Sequence, residues 1–462
     1  MIKKMLLLSI FLNLIACGGS NESASQNTEK TQDPEESQSI AKPIDIKSTA
    51  FSFAALYNNG QVKAWGNQDW GGDASSVSAS LTNVIAIYSN HQAFAALKDD
   101  GNVVTWGQAS EGGDSSRVQS ELHSVEDIVP SRRGFAAIRA DKSVVTWGAP
   151  YYPDFTAPII ENVETLLVSD SDYSAIAEDG YVTIWGGNPV GLNPEPLYEE
   201  RGVIASNAVH AQSTNIGNFS AVLESGEIVS WGREGNAFYN IQAPSSIQGV
   251  TNLRNTGWGI IAQKQDGTIE YWGYGDLGES YSMPPSDLVD VVDITFSDSH
   301  AAALSSDGTV SGWTRGFALG GDLHTKMIDV YVEFPGTLAN IHAIFSDKKY
   351  DSTSSGVIVA IDGNQQGWAW HWASPDPLGE PVTNAVDVSV NQRGVVILKN
   401  DKTVQITGQV QLELAPDTLE PVVYPLLENV IALYSTSSAF AAVREDGSIV
   451  TFGRFVDDGI VH

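Results

Sequence analysis

The chain has 462 residues, and its 25 Lys and Arg stand against 56 Asp and Glu for a net charge of −31. That excess repels nucleic acid and anionic lipid headgroups over a screening length of about 8–10 Å, which excludes polyanion binding and favours solubility or cationic partners. The single cysteine excludes an intramolecular disulfide and a cysteine-rich metal centre, while the length is ample for a large core.

The first predicted element is a leader. Residues 1–16 carry Lys3 and Lys4 and then an apolar run too short to span a bilayer as a mature helix, the layout of a secretory signal. Leu14-Ile15-Ala16-Cys17 resembles a bacterial lipobox. The resemblance implies cleavage before Cys17 and a diacylglyceryl group on its thiol, with acyl chains such as palmitate. Gly18 after the cysteine, where an Asp would signal inner-membrane retention, implies sorting to the outer membrane of a Gram-negative cell. Each buried methylene adds about 0.8 kcal/mol of membrane affinity. No other stretch is apolar enough to span, so attachment to the membrane runs through the N-terminal lipid alone.

Residues 17–43 form a lipidated tether. Its span from Gly18 to Pro43 has no aromatic residue and little apolar surface to offset ordering entropy, so disorder is expected. Such a segment reaches about 28 Å root-mean-square.

From residue 44 to 462 the chain repeats itself. FAALKDDGNVVTWG at 94–107 returns as FAAIRADKSVVTWG at 135–148 and as FAAVREDGSIVTFG near the end. The unit can be followed ten times, with Trp65, Trp106, Trp147, Trp185, Trp231, Trp272, Trp313, Trp368, Thr407 and Phe452 in its tryptophan position. Each follows a turn residue by five: Gly101 precedes Trp106, for example, and Gly363 precedes Trp368. Constant offsets between variable intervals describe a rigid hairpin joined by adjustable loops.

One unit reads as three short strands. Ile85–Ser89 is the first, Ala93–Leu97 the second and Val103–Trp106 the third, rich in β-branched and aromatic residues. An Asp-Asp-Gly-Asn turn joins the second and third strands. The segment after Trp-Gly is either a capped helical turn or a fourth, outer strand. A sheet this small cannot bury both faces alone, so neighbours must bury them for each other, and closing the ring removes the end edges. The expected fold is all-β: a β-propeller of about ten short units, seven to ten blades, behind a signal peptide and a disordered tether. An open β-solenoid is the structural competitor.

The alternation Ala-Leu-x-x-x-Gly-x-Val-x-x-Trp-Gly resembles the repeat of the regulator of chromosome condensation family. Trp65-Gly66-Asn67 with Gly71-Gly72, and Ser299-His300 leading into Ala303-Leu304, carry the likeness. It covers residues 44–462 and implies a β-propeller, although family members usually have seven blades with longer repeats. The founding activity, nucleotide exchange on a nuclear GTPase, does not suit an exported acidic chain. Other bacterial members imply a binding scaffold instead.

No nucleophile, zinc or phosphate-loop motif is present, and no cofactor is expected. Gly71-Gly72-Asp73, Gly112-Gly113-Asp114 and Gly320-Gly321-Asp322 leave calcium open, but no spaced series of acids supplies six to eight oxygens. The Asp residues in the hairpins, such as Asp100 and Asp266, are explained by turn chemistry. Four tryptophans lie outside the repeat position: Trp70, Trp258, Trp370 and Trp372. Trp258 aligns with a loop between first and second strands, and the others with loops leaving the third strand. Both loop types share one face, opposite the hairpin turns, so these four form the candidate binding face. The sequence thus reads as a lipid-anchored, non-enzymatic scaffold for an unidentified envelope or extracellular protein. The alternative is a protein that binds or cleaves glycans, which would also place tryptophans beside acids.

Overall fold

The structure, a computed structural model, describes residues 41–461 apart from 149–158, 171, 187–196, 216, 233–241, 246, 256–258, 274–287, 297–299, 315–330, 333–339, 347–356, 372–380, 392–393, 409–426 and 454–458. Cys17 and residues 18–40 of the tether lie outside them. Each repeat folds as its turn-plus-strand pattern dictates. In the second unit Val84–Ser89, Ala93–Lys98 and Val103–Gly107 pair antiparallel in that order. Ten such sheets occur among the described residues, at 43–66, 84–107, 125–148, 163–203, 208–232, 250–273, 291–332, 341–371, 385–408 and 430–461. They are called blades 1 to 10 below.

The segment after the third strand takes both of its expected forms. Blades 4, 7 and 10 add a fourth strand, Leu197–Val203, Tyr331–Val332 and Gly459–Val461. Blades 1 and 2 are instead followed by 3-10 turns, Gln68–Trp70, Ser75–Ser80 and Ala109–Glu111.

Apolar alternation on the second strand builds the core. Phe94 and Ala96 pack toward blade 1 with Ala54 and Leu56, while Ala93, Ala95 and Leu97 pack toward blade 3 with Phe135 and Ala137. The alanines are fully buried, and their small size lets the sheets approach. The core is therefore a series of layers between blades. The layer between the last blade and the first is of the same kind: Phe53, Ala55 and Tyr57 pack with Ala439, Ala441 and Val443. Ser48 Oγ donates to the Ser435 carbonyl at 2.7 Å across that seam. The equivalent hydroxyls of Ser89, Ser213, Ser346 and Ser435 reach back to Ser48, Val168, Phe296 and Val390 of the preceding blade. The seam is thus built like any other blade interface. Residues 41–461 close into a β-propeller, and the open solenoid is excluded.

The repeat tryptophan is a packing element. Phe94 and Trp106 pair across their strands and stack at 5.1 Å, as do Phe135 and Trp147 at 5.3 Å. The Trp106 indole N–H donates to the Gly71 carbonyl of the preceding exit loop at 3.0 Å, and Trp147 does the same to Gly112 at 3.1 Å.

The strand register corrects one alignment. In blade 2 Phe94 opposes Trp106, and in blade 8 the matching Ile358 opposes Trp370, not Trp368. The cause is the turn. Gln365 takes the left-handed conformation, φ 62°, that Gly101 takes at φ 76° in blade 2. The Gln365 carbonyl also accepts the N–H opening the next blade, as the Gly101 carbonyl does. The five-residue offset holds, but it runs from Gln365 to Trp370. Trp370 therefore stands within a third strand, Gly367–His371, rather than in an exit loop.

All ten first strands carry the same irregularity. Register slips by one residue at their second position, for example between Val84 and Ala86, leaving Ile85 as an unpaired bulge residue. A left-handed residue precedes the strand in nine blades, most often Asn, as at Asn83 and Asn429. These entries and the hairpin turns share one face of the propeller, the turn face. The first-to-second-strand loops and the exit loops share the other, the loop face.

Candidate functional site

On the loop face the described residues gather around blade 10 and blades 1 to 5. Asn67 caps the 3-10 turn that carries Trp70, its side chain accepting the Asp69 N–H at 3.0 Å, and Gly71 ends the turn at φ 91°. The Trp70 ring lies 4.5 Å from Phe51 and 5.2 Å from His91, tilted against both. Its carbonyl accepts Thr49 Oγ1 at 3.1 Å. All three rings are part-buried. The exit loop of blade 1 thus seats on the first-to-second-strand loops of blades 1 and 2. The assignment of both loop types to one face holds at Trp70.

Those loops are laced together by backbone. Ala50 N–H donates to His91 at 3.0 Å, His91 to Arg132 at 3.2 Å and Asp170 to Asn215 at 3.0 Å. Arg132 Nη1 meets Asp170 Oδ2 at 3.2 Å and bridges blades 3 and 4. Burial pushes the Asp170 carboxyl up, opposed by the Arg132 charge. Glu111 occupies in blade 2 the loop position that Trp70 occupies in blade 1. It is 4% exposed and held by two N–H groups of Arg133 at 2.9 and 2.6 Å, while Asn90 Nδ2 donates to its carbonyl. The result is a laced face that carries part-buried π surface and a partly exposed Arg132–Asp170 ion pair.

The Gly-Gly-Asp loops serve the scaffold. A Cβ on Gly71 would stand 2.6 Å from the Phe94 ring, and one on Gly112 2.8 Å from Phe135, so only glycine lets the loop lie on the next blade. Asp73 accepts the Ser75 N–H at 2.8 Å and Asp114 the Ser116 N–H at 2.9 Å. Gly320-Gly321-Asp322 lies outside the described residues. The described residues contain no group of three or more metal-ligating side chains. An open cleft of about 420 Å³ on the turn face of blade 6, lined by Gln248, Gly249, Lys264, Gln265 and Asp266, holds one lysine and one carboxylate and no nucleophile set.

Of the four candidate tryptophans, the structure describes the surroundings of Trp70 only. Trp258 and Trp372 lie outside the described residues, and Trp370 takes the repeat position by backbone register. Sequence reasoning missed Phe51, Arg132, Arg133, Glu111 and Asp170 as members of this face. Their shared offset from the strand ends was the available signal.

No protein-family profile matches the chain, and no curated protein matches it. Among solved structures it is similar to Prp20p from Saccharomyces cerevisiae, at 14% identity over 74% of this chain and 86% of that one, TM-score 0.35. It is also similar to the computationally designed Ika8 protein, at 16% identity over 71% and 96%, TM-score 0.32. BamB from Moraxella catarrhalis follows at 13% identity over 71% and 96%, TM-score 0.29. These likenesses are distant, and the architecture rests on the strand pairing and ring closure of this chain itself.

Proposed function

We propose that the chain is a lipid-anchored, extracytoplasmic propeller of the outer membrane that acts as a non-enzymatic scaffold for an envelope or extracellular protein. One observation carries the reading: the loop face joins Phe51, Trp70, His91, Arg132 and Asp170 into one laced surface on a closed ring. Aromatic and arginine side chains are the usual anchors of protein interfaces. Two carboxylates of that face, Glu111 and Asp170, are held by Arg133 and Arg132, which supports binding over acid–base chemistry at those two groups. The lipidation motif at Cys17 and the acidic charge support the location.

A photo-crosslinking residue placed at Gln68 on the loop face should capture a discrete partner in intact cells, and the same residue at Asn59 on the turn face should not. Trp70→Ala should remove the adduct while the protein stays folded. Equal capture from both faces, or capture indifferent to Trp70, would overturn the face assignment. Cys17→Ser should move the protein from the detergent phase to the aqueous phase.

A further inference from the structure

We propose that the turn-face mouth of the ring is a second docking surface, and that its occupant is a cationic, amphipathic segment of a protein. The bulge residue is exposed in all ten blades, while the strand residues around it are buried: Val84 is 4% exposed, Ile87 1% and Ile85 58%. Four consecutive blades, 9, 10, 1 and 2, present Val386, Ile431, Ile44 and Ile85 there, at 46%, 52%, 62% and 58% exposure. First strands of these neighbours contact one another, so the four make an arc across the seam. The fold does not demand apolar residues at this position. Val209 and Val292 stand singly at it in blades 5 and 7, and Glu126, Glu164, Thr251 and His342 fill it in the remaining four blades with the same bulge. Leaving β-branched residues in water where polar ones would serve marks an interaction surface.

Charge selects the occupant. The ten first strands hold Asp45, Glu126, Asp127, Glu164, Asp293 and Asp387 against Lys47 and Arg254; Lys47 pairs with Asp45, Arg254 with Asp293 and Lys142 of a neighbouring turn with Glu126, which leaves Asp127, Glu164 and Asp387. The excess remains acidic. A second copy would bring the same sign to the contact, and an anionic lipid surface is repelled. The chain's own residues 18–40 are acidic and nearly without apolar side chains. A segment that pairs lysine or arginine with aliphatic residues satisfies both features of the mouth.

The proposal is independent of the loop-face reading, and one experiment separates them. The probe is a fluorescent 18-residue helical Lys/Leu peptide, with a Glu/Leu peptide and a Lys/Ser peptide of equal positive charge as controls. Anisotropy with the purified protein should show saturable, salt-weakened binding of the Lys/Leu peptide alone. The triple variant Ile44→Ser, Ile85→Ser, Ile431→Ser should weaken it at least tenfold. All three residues are exposed, so its thermal midpoint should match wild type. Should the triple variant melt early, Glu164→Lys replaces it and should weaken binding severalfold. Trp70→Ala should leave the affinity unchanged. Equal binding of either control peptide, an unchanged affinity in the mouth variants, flotation of the non-lipidated Cys17→Ser protein on phosphatidylcholine vesicles, or self-association abolished by the triple variant would each overturn the proposal.

Discussion

Eight aspartates of the turns and loops are held ionised by their own local backbone and hydroxyl groups. The backbone N–H two residues on holds Asp73, Asp100, Asp114 and Asp307 below the usual carboxylate range. The hydroxyl two residues on, with the same N–H behind it, does so for Asp141, Asp266, Asp401 and Asp446. A carboxyl lowered in the folded state adds stability that is full above its unfolded value of about 4 and is lost as pH falls through the lowered value. Asp170 and Asp387, raised by burial, act with the opposite sign. Denaturant midpoints should therefore hold steady from pH 7 to about 5 and fall below about pH 4; a midpoint unchanged to pH 2 would contradict the turn chemistry. Glycine supplies a second test at this scale. Gly71→Ala forces φ 91° on a side chain and drives its Cβ into Phe94, at a cost of about 2–4 kcal/mol. Gly226→Ala, with φ 81° and open space around it, should cost about 1 kcal/mol. Equal losses in urea melts would show that the loop does not lie on the next blade.

At the scale of the strand, the hairpin was legible and its details were not. The fixed spacing from turn to tryptophan placed Ala93–Lys98 and Val103–Gly107 to within a residue. The spacing misled in blade 8, where Gly363 looked like the turn apex and Gln365 takes the left-handed conformation. A polar residue held at φ 62° leaves no compositional mark. The bulge was also invisible, because Val84-Ile85 reads as an ordinary apolar pair and only register separates a buried residue from an exposed one. The corrected register makes a prediction. Trp370→Ala should destabilise like Trp106→Ala, by about 3–5 kcal/mol, with a smaller loss for part-buried Trp368→Ala in the same melts. The reverse order would restore Trp368 to the repeat position. Of the candidate face, only Trp70 could be read in advance. Its partners Phe51 and His91 come from two other loops and meet it only when blades 1 and 2 pack together.

Closure is the property of the whole molecule on which both faces depend. Each blade uses its neighbours as core, and the Ser48 to Ser435 bond repeats at the seam what Ser89 to Ser48 does inside the ring. The loop face is continuous only if the seam closes, since Ser437 N–H donates to Ala50 there. The apolar arc of the turn face likewise spans blades 9 to 2. Spin labels on hairpin turns measure this directly. One pair at Asn59 and Asp100 reports the spacing of adjacent blades 1 and 2, and a second pair at Asn59 and Asp446 reports the distance from the first blade to the tenth. A closed ring predicts the same short distance for both pairs; a second distance several times the first would contradict it.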